Sequence, residues 1–91
     1  MNRKAYRVTV VIRPLAEVVD PQGETIQAGL RDLGYSSVSN VRAGKLIELD
    51  IEAAGEDEAA NLAKTMSGRL LANPVIEQFD VSVGEAKKTS V

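Results

Sequence analysis

The feature that most constrains the fold is a helix with well-defined ends between Asp20 and Gly34. Asp20 can accept hydrogen bonds from the free amide groups of a first helical turn. Pro21 suits the first helical position, because its missing N–H would have no partner there. Gly34 can adopt the left-handed conformation that ends a helix. The apolar residues between these ends fall on one face: Ile26, Leu30 and Leu33. The sequence therefore predicts an amphipathic helix over residues 20–33 that packs on a sheet.

Segments with the two-residue period of β-strands lie before and after this helix. Tyr6–Arg13 and Val75–Val83 each alternate between apolar and polar residues. Val41–Ile51 contains Gly44 and predicts two strands joined by a tight turn. Residues 55–73 predict a second helix, because the three acidic residues that follow Gly55 favour the positive end of a helix dipole.

This β-α-β-β-α-β order predicts an α+β fold, a two-layer sandwich of an antiparallel sheet with two helices on one face. Residues 1–83 are expected to form a single domain, and residues 84–91, which lack periodicity, a flexible C-terminal tail. A chain of 91 residues has a small core, so association with other subunits could add stability. Val11 and Leu46 lie among charged residues on the outer sheet face, which could be solvated or could meet another subunit.

The composition excludes the common catalytic sites. The chain has no His and no Cys, so Ser–His–Asp, Cys–His and ordinary zinc sites cannot form. A formal net charge of −2 with mixed signs argues against a nucleic-acid binder. The sequence shows no membrane-spanning apolar run and no secretory signal, which predicts a cytoplasmic protein. We therefore expect no catalytic, cofactor-binding or metal-binding residues in this chain.

Two basic residues at the predicted hairpin tip are the first candidates for an interaction. Arg42 and Lys45 flank Gly44 and could bind a phosphate or a carboxylate of a partner, or they could simply keep the turn soluble. The residues alone leave two functions open. One is an accessory subunit of a larger enzyme, and the other is a small regulatory ligand-binding module of ferredoxin-like type. Exposed apolar residues favour the accessory subunit.

Three motifs carry a resemblance to a known family. They are Asp20–Gly23 (DPQG), Val41–Lys45 (VRAGK) and Leu70–Glu77 (LLANPVIE), and the aromatic Phe79 follows the last of them. Together they span most of the region from residue 6 to residue 83, in the order and at the approximate spacing of the family. In these motifs the chain resembles PurS, the small subunit of phosphoribosylformylglycinamidine synthase.

The resemblance implies a non-catalytic subunit of an ATP-dependent, glutamine-hydrolysing ligase of de novo purine biosynthesis. In this family a large synthetase subunit (PurL) binds ATP and magnesium, and a glutaminase subunit (PurQ) releases ammonia. The small subunit joins them as a homodimer and could assist ammonia transfer. The resemblance adds Asp20, Gln22 and Asn73 to Arg42 and Lys45 as partner-interface candidates. We expect Arg42 and Lys45 to serve assembly, so their joint replacement by Ala should change the free energy of unfolding by well under ~1 kcal/mol.

Overall fold

The computed structural model describes residues 3–85, in which one sheet and two helices form in the predicted α+β class. The elements are β1 (Lys4–Pro14), α1 (Pro21–Asp32), β2 (Lys45–Ala53), α2 (Glu56–Met66) with a π-helical turn after it (Ser67–Leu71), and β3 (Glu77–Glu85). β1 lies in the centre of the sheet and pairs antiparallel with β2 on one side and β3 on the other. The predicted antiparallel sheet with two helices is confirmed.

The core lies between one face of the sheet and α2. Val8, Val10 and Ile12 of β1 are completely buried, since alternate side chains of a strand point to the same face. Ala59 and Ala63 of α2 are also completely buried, and their small side chains let the helix lie close to the sheet. Burial of each large aliphatic side chain stabilises the fold by ~1.5–3 kcal/mol. The remaining core residues are Tyr6, Ile51, Ala53 and Ala72.

Paired charges cover the opposite face of the sheet. Arg7 on β1 donates from Nε to Asp50 Oδ1 on β2 at 2.7 Å, and this hydrogen bond raises the pKa of Arg7. Arg13 pairs in the same way with Asp80 on β3. Leu46 is an apolar exception, with 61% of its surface exposed. This face is therefore mostly polar.

α1 stands apart from the core. Its one buried residue is Gly23, and no residue of α1 belongs to the core cluster. Ile26 is 42% exposed, and Leu33, just after the helix, is 75% exposed. Among residues 3–85, α2 and the turn after it cover the sheet face on which both helices were predicted, and α1 contributes no residue to the core there.

The strand pair predicted around Gly44 takes a different form. Residues 38–44 form no strand, and β2 begins at Lys45 with β1 as its partner, so the described sheet has three strands where the sequence predicted four. The alternation of apolar and polar residues at 41–43 is too short to show whether the segment is a strand or is hydrogen-bonded to a helix. β3 runs two residues beyond the predicted domain boundary at residue 83. The rest of the predicted tail, residues 86–91, lies outside the described residues.

Candidate functional site

The three sequence motifs meet at one end of the sheet. Asp20 at the start of α1, Lys45 at the start of β2 and Glu77 at the start of β3 line one open cleft of about 230 Å³. The end of β1 lies between the two outer strands here, since Ile12 pairs with Lys45 and Pro14 pairs with Glu77. The cleft is also lined by Gln22, Ala43, Gly44 and Ile76. The fold thus brings together three of the five predicted interface candidates, Asp20, Gln22 and Lys45, whereas Arg42 and Asn73 are represented in this cleft only by neighbours in their motifs.

Asp20 joins α1 to the segment formed by residues 38–44. Its Oδ1 accepts a hydrogen bond from the Gly23 N–H at 3.1 Å, which confirms the predicted helix cap. Its Oδ2 accepts from the Ala43 N–H at 2.7 Å, a contact that the sequence did not predict. Both bonds favour the charged carboxylate, so the pKa of Asp20 is lowered, with the bond from Ala43 as the largest cause.

Two motif glycines allow the backbone to approach closely at this junction. A Cβ atom on Gly23 would lie 2.4 Å from the carbonyl oxygen of Val41. A Cβ atom on Gly44 would lie 2.4 Å from the carbonyl oxygen of Ile12. Both distances are far below van der Waals contact, so any larger residue would displace backbone atoms. The close approach of the backbone therefore explains why both positions are occupied by glycine.

Arg42 is bonded to the connection between β1 and α1. Its Nη2 donates to the carbonyl oxygens of Leu15 at 2.7 Å and Val18 at 2.9 Å. The sequence did not predict these two contacts, and the side chain of Arg42 remains exposed. Arg42 also lines a second cleft of about 380 Å³, together with Arg13, Asn40 and Gln78.

Lys45 and Asn73 both contact Glu77. Lys45 Nζ lies 3.6 Å from Glu77 Oε2, and the Lys45 side chain is 58% exposed whereas that of Glu77 is 18% exposed. The other carboxylate oxygen, Glu77 Oε1, accepts from the Asn73 N–H at 2.7 Å. Asn73 Oδ1 accepts from the Val75 N–H at 3.1 Å, which orders the turn before β3. More than half of the Lys45 side chain is thus open to an external carboxylate or phosphate.

Exposed apolar side chains lie next to these polar groups. Val19 is 71% exposed and Val75 is 79% exposed, and Ile76 lines the cleft itself. Apolar surface edged by polar groups is typical of a protein–protein contact. Among residues 3–85, no group of acidic side chains is placed to hold a metal ion. In the same residues no helix is long and apolar enough to cross a membrane.

The fold and this site define a small α+β subunit suited to association with other proteins. Residues 7–85 match a family model described as PurS, phosphoribosylformylglycinamidine (FGAM) synthase. The chain belongs to the PurS family.

Individual relatives agree with this assignment. The PurS subunit of Synechocystis is 49% identical over 73 residues, which cover 80% of this chain and 71% of that protein. The crystal structure of PurS from Thermotoga maritima is 31% identical, with a TM-score of 0.83 and coverage of 92% of this chain and 97% of that one. A chain in the structure of PurLQS from Thermotoga maritima is 32% identical, with a TM-score of 0.80 and coverage of 88% and 98%.

Proposed function

We propose that this chain is the non-catalytic small subunit that joins the synthetase and glutaminase subunits of FGAM synthase in purine biosynthesis. The observation that carries the proposal is the similarity to the chain in PurLQS, which covers 98% of that chain at a TM-score of 0.80. The junction at the end of the sheet supports it, because it combines exposed apolar residues with an accessible cation, Lys45. Arg42, Asp20, Gln22 and Asn73 remain interface candidates within this proposal.

The proposal includes a homodimer. Its support is the apolar face of α1, which contributes no residue to the core and leaves Ile26 42% exposed. A second copy of the chain would supply an apolar surface to cover this face.

The catalytic steps would then take place in the partner subunits. ATP and magnesium are expected in the large synthetase subunit, and ammonia release in the glutaminase subunit. This chain would hold the two in register and could assist ammonia transfer between them. A cytoplasmic location follows from this metabolic role and is part of the same proposal.

Reconstitution with the synthetase and glutaminase subunits from the same source tests the bridging role. We expect the three chains to elute as one complex in size-exclusion chromatography with light scattering, and glutamine-dependent turnover to require this chain. Turnover with free ammonia should depend on it less, because no transfer between subunits is then needed. A synthetase and glutaminase that combine and turn over glutamine equally well without this chain would refute the proposal.

Sedimentation equilibrium of the isolated chain tests the homodimer separately. We expect a dimer at micromolar concentration, and a monomer at all accessible concentrations would refute that part. The matching relatives cited above are PurS subunits, so they lend no support to the alternative of a regulatory ligand-binding module.

A further inference from the structure

We infer that residues 38–44 fix the direction in which α1 leaves the sheet, and that this direction sets the affinity of the chain for a second copy. In this inference Asp20, Gly23 and Arg31 are positioning residues that act through α1. The inference rests on the proposed homodimer. It gives part of the VRAGK motif the role of holding α1 in position.

The segment 38–44 runs antiparallel to α1 and is bonded to it at three levels. At the start of the helix, Asp20 accepts from the Ala43 N–H at 2.7 Å. Further along, the Gln27 Oε1 atom accepts from the Val41 N–H at 3.2 Å. Near the end, Arg31 donates from Nε and Nη2 to the Val38 carbonyl at 3.0 and 2.9 Å.

These levels span most of the helix, because eleven residues rise about 16 Å in an α-helix. Attachment at one point would leave the helix free to pivot, whereas attachment at three levels over this length defines a direction. Within residues 3–85, the side-chain hydrogen bonds that join α1 to other elements all go to this segment. α1 contributes no residue to the core that could hold it otherwise.

The same segment is fixed to the sheet at its other end. Gly44 lies directly over the Ile12 carbonyl of the central strand, and Arg42 binds the carbonyl oxygens of Leu15 and Val18. The path of attachment therefore runs from the sheet, through residues 38–44, to α1. A change in this segment should alter the direction of α1 without disturbing the core under α2.

The direction matters because the apolar residues of α1 are open in this chain, with Ile26 42% exposed. A helix held ready in its bound direction loses little conformational freedom on association, whereas a loosely held helix must be ordered at that moment. The positioning residues should therefore change affinity even though they are not themselves apolar contacts.

Gly23→Ala tests this inference, with Gly29→Ala as its matched control. Both substitutions place a methyl group in the same helix and replace glycine with a residue of higher helix propensity. The new Cβ would lie 2.4 Å from the Val41 oxygen at position 23, whereas nothing lies within 4 Å at position 29. Arg31→Met serves as a second variant, since it removes the bonds to Val38 at an exposed position and leaves the cap intact.

The direction of α1 can be measured with two spin labels. The chain has no cysteine, so Asp32→Cys in α1 and Lys64→Cys in α2 would be the only labelling sites. Double electron–electron resonance in an excess of unlabelled chain reports the distance within one chain. We expect Gly23→Ala and Arg31→Met to broaden or shift this distance and Gly29→Ala to leave it unchanged. Unchanged distances in both variants, or an equal change in Gly29→Ala, would overturn the inference.

Sedimentation equilibrium of the same variants tests the link to association. We expect Gly23→Ala to raise the dimer Kd by about tenfold or more, which corresponds to ~1.4 kcal/mol. A shifted distance with an unchanged Kd would overturn the claim that direction sets affinity. A wild-type chain that is monomeric would refute the proposed homodimer, while the spin-label distances would still decide whether residues 38–44 hold α1.

Discussion

Arg42→Ala should destabilise this chain measurably, contrary to what the sequence alone predicts for an exposed turn cation. The side chain donates to two backbone carbonyls, at Leu15 and Val18, at 2.7 and 2.9 Å. A hydrogen bond from a charged donor contributes about 1.5–3 kcal/mol when it is shielded, and less when the donor is exposed. Because Arg42 is exposed, we expect the two bonds together to contribute about 1–2 kcal/mol to the free energy of unfolding.

Lys45→Ala is the matched comparison, because it removes a neighbouring cation of the same motif. Lys45 forms an ion pair with Glu77 at 3.6 Å, and its side chain is 58% exposed, so we expect a loss of about 0.2–1 kcal/mol in the free energy of unfolding. Urea unfolding followed by circular dichroism suits a chain without Trp. The measurement should be repeated at several chain concentrations, since association stabilises the folded state. Equal losses for the two variants, both below about 0.5 kcal/mol, would refute the assignment of Arg42 to the β1–α1 connection.

Three further predictions concern the junction and the core. Gly44→Ala should cost about 1–2 kcal/mol in thermal or urea unfolding, because its Cβ meets the Ile12 oxygen, while Gly84→Ala, with open space around its Cβ, should be neutral or stabilising. The pKa of Asp20 is lowered in the folded chain, so its contribution to stability is complete above the ordinary value of 3.8 and is lost as the pH falls through the lower folded value. Between about pH 6 and about pH 2, the free energy of unfolding of Asp20→Asn should therefore fall less than that of the wild-type chain. Equal falls in the two chains would contradict this. Ile12→Val should lower the free energy of unfolding in urea by about 0.5–1.5 kcal/mol, since Ile12 is completely buried. An unchanged free energy of unfolding would contradict the assignment of Ile12 to the core.

Local chemistry in the sequence was enough to predict the ends of α1. Asp20 caps the helix, Pro21 is its first residue, and Gly34 has a φ of 104° after its last turn. The predicted alternation of apolar and polar residues in β1 is also present, with Val8, Val10 and Ile12 completely buried. The ends of α1 depend on contacts between residues that are near one another in the chain, and the period of β1 is a pattern within one short segment, so the local sequence is sufficient to specify both.

The same sequence patterns did not predict which elements that are distant in the chain contact one another. The amphipathic pattern of α1 shows that one face avoids water, but it does not show which surface covers that face. Ile26 is 42% exposed in the single chain, so the covering surface need not belong to the same molecule. The meeting of Asp20 with Ala43 likewise depends on how the whole chain is arranged, and nothing in DPQG or VRAG taken separately encodes it.

The central position of β1 has a consequence for synthesis of the chain. β1 is made first, but it pairs with β3, which ends at Glu85, as well as with β2. At a translation rate of about 5–20 residues per second, roughly 4–14 s separate the end of β1 from the end of β3. During that interval the apolar side chains of Val8, Val10 and Ile12 lack their native contacts with β3. Chaperone contact or pairing with another nascent chain has its best opportunity in these seconds, and a slower ribosome would extend the interval.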